Sequence, residues 1–225
     1  MKKYKLFAMG LAMAGAMSFT SCADDYLDTA PTDAVSNVTI GQNMESLFLG
    51  LNGIHRQMIS QESGYQCMGG LGGMMYIMDI MADDITWLTN TWMKAAYLGW
   101  QCNTNDQNGY NSVFWRLYYQ WIMNANGLLE VLDGTDVSTL SGGDKALYEQ
   151  IRGEALVFRA FSHFQAVQTY ADAYKAGGNN SQPGVPYRTV ENKVDQELAR
   201  STVEETYAKI NADLAEACSL LEGKN

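Results

Sequence analysis

The sequence predicts an all-α protein with long irregular loops, and three observations support that class. Only 3 of the 225 residues are proline, which is few for a chain of this length. Hydrophobic residues make up 47% of the chain, enough for one sizeable buried core. Apolar residues recur every three or four positions through several long stretches, which is the period of an amphipathic helix. The expected fold is therefore a set of packed helices joined by irregular segments.

The start of the chain has the pattern of a lipoprotein export signal. Three lysines are followed by an apolar run over residues 6–19, which is too short to span a bilayer, and then by the small residue Ser21. Cys22 comes next, in the arrangement at which a signal peptidase cuts and the cysteine is lipidated. We predict a signal peptide over 1–21 and an extended tether over 22–38. The alternative is an ordinary secreted protein that carries a cysteine at this point.

The overall charge makes nucleic acid an unsuitable partner. The chain has a net charge of −10, and loss of the three lysines with the signal peptide makes it more negative. An acidic surface repels polyanions and suits a neutral or cationic ligand better than a phosphorylated one. Nucleic acid is therefore excluded as an expected partner.

The first two helices are predicted on either side of a glycine-rich stretch. The first covers about 42–60, and its apolar residues repeat every three or four positions: Met44, Leu47, Leu51, Ile54 and Met58. The glycine-rich stretch over 64–73 predicts a flexible bend, because it lacks the preceding strand and the Lys-Ser/Thr of a phosphate-binding loop. A short helix rich in methionine is expected over 74–82.

The third predicted helix, about 111–132, places a polar side chain on an apolar face. That face comprises Trp115, Tyr118, Tyr119, Ile122, Ala125, Leu129 and Leu132. Asn126 falls on the same face, and a buried amide must be hydrogen-bonded. We therefore expect Asn126 to connect this helix to a neighbouring element.

The fourth predicted helix, about 144–174, has the longest apolar stripe and forms the expected centre of the protein. The stripe consists of Leu147, Ile151, Ala155, Phe158 and Phe161. Asp144 is the expected N-cap. Glu154 and Arg159 lie beside the stripe, where a charge must be paired or reach water, so both are expected to have partners.

The last predicted helix follows a loop over 176–186. Ser201 and Glu204 have the spacing of a capping box, which predicts a start at Ser201, and the helix is expected to end near Leu221. Its predicted apolar face consists of Val203, Tyr207, Ile210, Leu214, Ala217 and Leu221.

Residues 85–112 have the composition of a sugar-binding site, because aromatic rings are interleaved with amides. Sugars stack their C–H faces on rings and bond their hydroxyls to Asn, Asp and Gln side chains. The predicted ligand-binding residues are Trp87, Trp92, Trp100, Asn103 and Tyr110, with Asp84 as a secondary polar contact. The alternative is that the rings anchor a long loop onto the helices and that Asp84 has a turn or capping role.

No pattern in the sequence indicates a catalytic or metal centre. His55 has no second His, Cys or carboxylate at ligand spacing, and the common hydrolase and metalloprotease motifs are missing. The adjacent Asp83 and Asp84 cannot flank one glycosidic bond as acid and base. We predict no catalytic residue, metal or cofactor. Outside the cytoplasm, Cys67 and Cys102 flank the aromatic segment and are the pair to test for a disulfide.

Four blocks of sequence resemble one known family. They are SCADDYLDTAPTDAVS from Ser21, GEALVFRAFSHF from Gly153, GVPY from Gly184 and RSTVEETYAKINADLAEA from Arg200. In this order they resemble the SusD/RagB family of outer-membrane nutrient-binding lipoproteins of the Bacteroidetes. Asp24-Asp25 looks like the acidic tag that sends such lipoproteins to the cell surface, with a solvated acidic tether as the alternative.

The resemblance implies both an architecture and a function. It implies a SusD-like helical-repeat fold over 39–225, with tetratricopeptide-like antiparallel helix pairs. It also implies a surface-exposed outer-membrane lipoprotein that captures an oligosaccharide or other nutrient and delivers it to a SusC-like TonB-dependent transporter. Family members are more than twice as long, so 39–225 is expected to be the N-terminal part of a larger protein. The alternative function is a lipid-anchored helical-repeat scaffold that binds a protein or peptide.

Overall fold

A computed structural model describes residues 43–61, 69–82, 109–193 and 195–223, all within one compact unit that starts at Ile40. These residues form five α-helices, a short 3-10 turn and, in the described part of the chain, no strand. The helices are α1 (Met44–Ile59), α2 (Gly70–Met81), α3 (Gly109–Asp133), α4 (Gly142–Tyr170) and α5 (Val203–Leu221). The all-α class is confirmed. None of these helices is long and apolar enough to cross a membrane.

Helix α4 is the centre of the described fold and packs against α1, α3 and α5. Paired residues show the helix directions. Arg159 bonds to Asn126 of α3, whereas Arg152, about two turns earlier on α4, bonds to the later residue Asp133. The same reversal holds toward α5, where Arg159 bonds to Asp213 and Arg152 to Glu216. Helices α3 and α5 are therefore antiparallel to α4, which agrees with the predicted helix pairs.

The apolar core has two clusters along α4. One lies along its first half and includes Leu47, Leu51, Leu129, Leu132, Ile151 and Leu156, all of them buried. The other lies toward its end and includes Ile77, Ile80, Leu117, Tyr118, Trp121 and Val167. Burying each large apolar side chain contributes roughly 1.5–3 kcal/mol, so the periodic stripes seen in the sequence supply most of the stabilisation.

The connection between α1 and α2 differs from the prediction. Helix α1 is confirmed, with Asn43 as an N-cap that accepts from the Ser46 amide at 2.8 Å. Helix α2 begins at Gly70, four residues before the expected start, so the predicted flexible bend is wrong over its last part. Gly70 has φ +53°, and a Cβ there would lie 2.1 Å from the carbonyl oxygen of Met58. Only glycine fits this close approach between the two helices.

Both ends of α4 differ from the prediction. Its N-cap is Ser141, whose hydroxyl accepts from the Asp144 amide at 3.2 Å and donates to the Asp144 carboxylate at 2.7 Å. Asp144 is thus in the first turn rather than at the cap. The helix ends at Tyr170, because Ala171 adopts extended backbone angles and the Arg200 guanidinium binds the Tyr170 carbonyl at 2.9 Å.

Helix α5 begins one residue later than predicted and buries a different stripe. Thr202 is the N-cap and forms a reciprocal capping box with Glu205. The buried residues are Val203, Thr206, Ile210, Asp213 and Ala217. Leu214, predicted to be apolar core, is 36% exposed. Relative to the predicted face, α5 is rotated about its axis, because the Asp213 side chain points into the core and pairs with Arg159.

The charges expected to need partners have them. Glu154 accepts from Gln150 at 2.9 Å and lies 2.9 Å from His55 Nε2. Asn126 accepts from Arg159 at 3.1 Å and donates to the carbonyl oxygen of Arg188 at 3.2 Å. The expectation that Asn126 connects α3 to its neighbours is confirmed.

Candidate functional site

Most residues predicted to bind sugar lie outside the described part of the chain. These are Asp84, Trp87, Trp92, Trp100 and Asn103, and the same is true of Cys22 and of the Cys67–Cys102 pair. Tyr110 lies in the first turn of α3, but the side chains of residues 109–111 are not described. All these assignments remain predictions. Gly109 is the described residue at which the aromatic-rich segment joins the fold.

An aromatic platform lies where α3 begins and α4 ends, and we define it as Trp115, Tyr119 and Tyr170. The rings of Trp115 and Tyr119 stack with centroids 4.4 Å apart and an angle of 28° between planes. Tyr170 meets Trp115 edge to face, with centroids 5.1 Å apart. Trp115 remains 36% exposed, so the platform is accessible to a ligand from solvent.

The local sequence explains how these rings come together. Trp115 and Tyr119 are four residues apart on α3 and therefore lie above one another on one side of the helix. Tyr170 is the last residue of α4, and because α4 is antiparallel to α3 its end lies beside the start of α3. Tyr118, on the core side of α3, meets Thr169 at 3.4 Å, which sets the two helices in this register.

Sequence reasoning placed Trp115 and Tyr119 on the apolar core face of this helix, and for Trp115 that placement is wrong. The buried face has the same spacing of three and four but is shifted along the helix, and at this end it consists of Phe114, Leu117, Tyr118 and Trp121. Positions 115 and 119 lie at the edge of that face, where a ring is only partly covered. The signal available in the sequence was this second apolar set, which starts at Phe114 with the same spacing and leaves Trp115 and Tyr119 outside it.

The platform is connected to the irregular segment that follows α4. The Tyr119 hydroxyl donates to the carbonyl oxygen of Pro186 at 2.8 Å. Burial raises the pKa of Tyr119, while the positive charges of Arg188 and Arg200 oppose that shift. The phenol therefore stays protonated and keeps its role as a donor at neutral pH.

Arg200 joins the same segment to the end of α4. Its Nε donates to the carbonyl of Gly184 at 2.6 Å, and its Nη2 donates to the carbonyls of Tyr170 at 2.9 Å and Pro183 at 3.1 Å. The Gly184 amide in turn donates to the Ser201 carbonyl at 2.7 Å. The residues just before α5 thus hold the segment beside the platform.

A buried polar cluster lies deeper in the molecule, between α4, α5 and the irregular segment. Arg159 makes a bidentate pair with Asp213, with Nε–Oδ2 and Nη2–Oδ1 distances of 2.7 Å. The Tyr187 hydroxyl donates to Asp213 at 2.6 Å, and burial and the Asp213 charge raise its pKa. Every charge in this cluster has a close partner, as a buried ion pair requires.

His163 completes the cluster and is held as a neutral ring. Its Nδ1 lies 2.9 Å from the carbonyl oxygen of Arg159, and its Nε2 accepts from the Arg188 amide at 3.1 Å. These contacts assign the proton to Nδ1. Burial lowers the pKa of His163 to about 3. The ring also stacks on Tyr187 with centroids 3.8 Å apart, so both nitrogens and one face are occupied.

The chemistry that these residues offer is binding by rings and by polar groups. Stacked indole and phenol rings suit the apolar face of a sugar, and the partly exposed Trp115 supplies such a surface. In the part of the chain that the structure describes, no three His, Cys, Asp or Glu side chains are grouped to hold a metal ion. His163, with both nitrogens engaged, is positioned to support the fold.

A family model matches almost the whole chain. Residues 25–224 match a SusD-like family described as starch-binding and associating with the outer membrane. No curated protein matches the sequence.

Solved structures of three proteins share the fold. A putative sugar binding protein from Bacteroides vulgatus ATCC 8482 is 26% identical with a TM-score of 0.67 and is matched over 81% of this chain. A SusD-like carbohydrate binding protein from the same strain is 21% identical with a TM-score of 0.64, also over 81% of this chain. A SusD superfamily protein from Bacteroides thetaiotaomicron VPI-5482 is 23% identical with a TM-score of 0.59 over 79% of it. The matches cover 38%, 37% and 37% of those longer chains.

Proposed function

Because this chain belongs to the SusD-like family, we propose that it binds a glycan and that the aromatic platform contributes to the sugar contacts. The single observation that carries the proposal is Trp115, a stacked indole that stays 36% exposed at the surface. An exposed ring held rigidly by its neighbours offers a stacking surface without a cost in side-chain ordering. The description of the family as starch-binding supports the same ligand class.

The platform alone is too small to hold an oligosaccharide tightly. Each ring contact adds roughly 0.5–1.5 kcal/mol beyond the burial of apolar area, so several contacts are needed. We therefore keep the segment before α3 as the proposed remainder of the site, through Trp87, Trp92, Trp100, Asn103 and Tyr110, with Asp84 in a secondary role. This segment joins the fold at Gly109, six residues before Trp115.

The cellular role belongs to the same proposal. The family is associated with the outer membrane. In this role, the chain is lipidated at Cys22 and exposed at the cell surface, where it passes the captured glycan to a SusC-like TonB-dependent transporter. The supporting features are the export-signal pattern of residues 1–21 and the acidic residues that follow Cys22. Handing on a ligand requires release as well as capture, which suits stacking contacts of moderate strength.

The test is affinity gel electrophoresis of the purified chain in gels that contain soluble starch or one of a panel of other polysaccharides. We expect retardation by at least one of them. Trp115→Ala should weaken that binding about two- to tenfold, the loss of one stacking contact. The melting temperature should change little, because the ring is partly exposed.

Met123→Ala is the matched control, since Met123 is a large exposed side chain on the same helix and is 47% exposed. It should leave the retardation unchanged. If none of the polysaccharides slows the migration of the wild-type chain, the proposed glycan binding is contradicted. If Trp115→Ala leaves the binding unchanged and strongly lowers the melting temperature, the aromatic platform does not contribute to glycan binding.

A further inference from the structure

We propose that Arg200 is a positioning residue for the aromatic platform. The proposal rests on the proposed function, because it concerns how the platform is kept ready for a sugar. Arg200 does not belong to the platform and lies 30 residues after Tyr170 in the sequence. Its effect is exerted through the backbone groups that it holds.

The contacts around the platform form a closed circuit. Trp115 stacks on Tyr119, whose hydroxyl donates to the Pro186 carbonyl. The backbone then leads back to Gly184 and Pro183, whose carbonyls accept from Arg200. Arg200 also binds the carbonyl of Tyr170, whose ring returns to Trp115 at 5.1 Å. Arg200 therefore joins the two sides of the circuit, namely the end of α4 and the segment after it.

The side-chain chemistry of arginine suits this task. Nε and Nη2 lie on one edge of the planar guanidinium, so the fork reaches carbonyls on two separate segments at fixed angles. The positive charge also lies at the C-terminal end of α4, where the helix dipole favours a cation. In the described part of the chain, no carboxylate forms an ion pair with Arg200, which leaves the backbone carbonyls as its described partners.

Removing the fork should loosen the platform without unfolding the protein. The buried cluster around Arg159 and the core along α4 do not involve Arg200. Without the fork, however, the backbone that accepts the Tyr119 hydroxyl is no longer joined to Tyr170. A platform that must become ordered when the sugar binds loses affinity, by about three- to tenfold for one mobile side chain.

The experiment uses the full chain labelled with 5-fluorotryptophan, with the Trp115 resonance assigned through Trp115→Phe. We expect Arg200→Lys and Arg200→Met to shift or broaden the ¹⁹F resonance of Trp115. The resonance of the fully buried Trp121 should stay in place. In affinity gels with a polysaccharide that retards the wild type, both variants should bind about three- to tenfold more weakly than the wild type.

Arg152→Lys is the matched control. Arg152 also donates through Nε and a terminal nitrogen to two partners. It lies on α4 about 27 Å before Tyr170, as the rise of roughly 1.5 Å per residue gives. It should leave the Trp115 resonance unchanged. A wild-type Trp115 resonance in both Arg200 variants would overturn the proposal, whatever their melting temperatures. Failure to bind starch or any other glycan would count against the proposed function alone, because the resonance is read without a ligand. If Arg200→Met does not fold, Arg200→Lys decides the result.

Discussion

At the scale of single residues, the buried polar groups show why charge can persist in this core. Asp213 is 8% exposed and accepts from Nε and Nη2 on one edge of the Arg159 guanidinium and from the Tyr187 hydroxyl. A buried carboxylate without such partners would cost several kcal/mol. His163 is buried without a charge: its ring stays neutral, and both of its nitrogens are hydrogen-bonded. The cluster thus connects α4, α5 and the irregular segment without leaving a charge unpaired.

The neutral state of His163 makes the stability of the protein depend on pH. Because burial lowers its pKa from 6.5 to about 3, the unfolded chain binds a proton that the folded chain does not within that interval. Its contribution to stability is therefore complete above about pH 6.5 and is lost as the pH falls toward 3, by at most about 1.4 kcal/mol per pH unit. Urea unfolding between pH 7.5 and 4.5 should show the midpoint falling.

His163→Gln should flatten this dependence on pH, because glutamine does not titrate. His55→Gln is the control, because the His55 side chain is half exposed and its Nε2 contacts the Glu154 carboxylate at 2.9 Å. It should leave the slope close to that of the wild type. Equal slopes in the wild type and His163→Gln would show that His163 is not the titrating group.

At the scale of the helices, glycines decide how closely neighbouring elements approach. Gly153 lies in the middle of α4, where glycine costs roughly 0.5–1 kcal/mol of helix stability relative to alanine. Its position is explained by α5, because a Cβ at residue 153 would lie 2.6 Å from Cγ of Leu221. The missing side chain thus allows the end of α5 to pack directly onto α4.

Gly153→Ala should therefore destabilise the protein, by about 1–3 kcal/mol, as overpacked cores do. The measurement is the free energy of unfolding in urea. Gly127→Ala on α3 is the matched control, since no atom lies within 4 Å of the added Cβ and the change should be neutral or slightly stabilising. The double variant Gly153→Ala with Leu221→Ala should cost less than the two single changes combined. Strict additivity would mean that the clash with Leu221 is not the cause.

At the scale of the whole molecule, one end of the helix bundle carries the aromatic platform to which we assign the sugar contacts. The start of α3, the end of α4 and the start of α5 meet there, and the aromatic platform lies between the first two. The solved SusD-like structures are longer, and the matches cover 38% or less of them. The glycan and the transporter therefore stand as proposals for this chain.

The anchoring of the chain gives a prediction for the whole molecule. Cys22→Ala should move the protein from the outer-membrane fraction to the soluble fraction, because acyl chains contribute roughly 0.8 kcal/mol per buried methylene. Fractionation and intact mass of the wild type measure this, with Cys218→Ala as the control because Cys218 is an exposed free cysteine on α5. An unmodified mass for the membrane-bound wild type would contradict the prediction.

The sequence by itself determined the class of fold, the approximate extent of the helices and the core faces of α1 and α4. Periodic residues such as Leu47, Leu51 and Ile151 are fully buried, because burial of apolar area drives packing and the repeat of three and four is local information. It also indicated that Arg159 and Asn126 needed partners, since an unpaired polar group in a core is costly. The partners themselves, Asp213 and the Arg188 carbonyl, lie far away in the sequence.

Only the tertiary structure decided which residue caps α5, how α5 is rotated and which aromatic rings meet. Ser201 and Thr202 are equivalent as caps by local chemistry, and the choice of Thr202 follows from the pairing of the Ser201 amide and carbonyl with Val185 and Gly184. Asp213 is buried and Leu214 is partly exposed, because the ion pair between Asp213 and Arg159 sets the rotation of α5. The aromatic platform arises in the same way. Trp115 and Tyr170 are far apart in the sequence, and only the antiparallel packing of α3 and α4 brings their rings into contact.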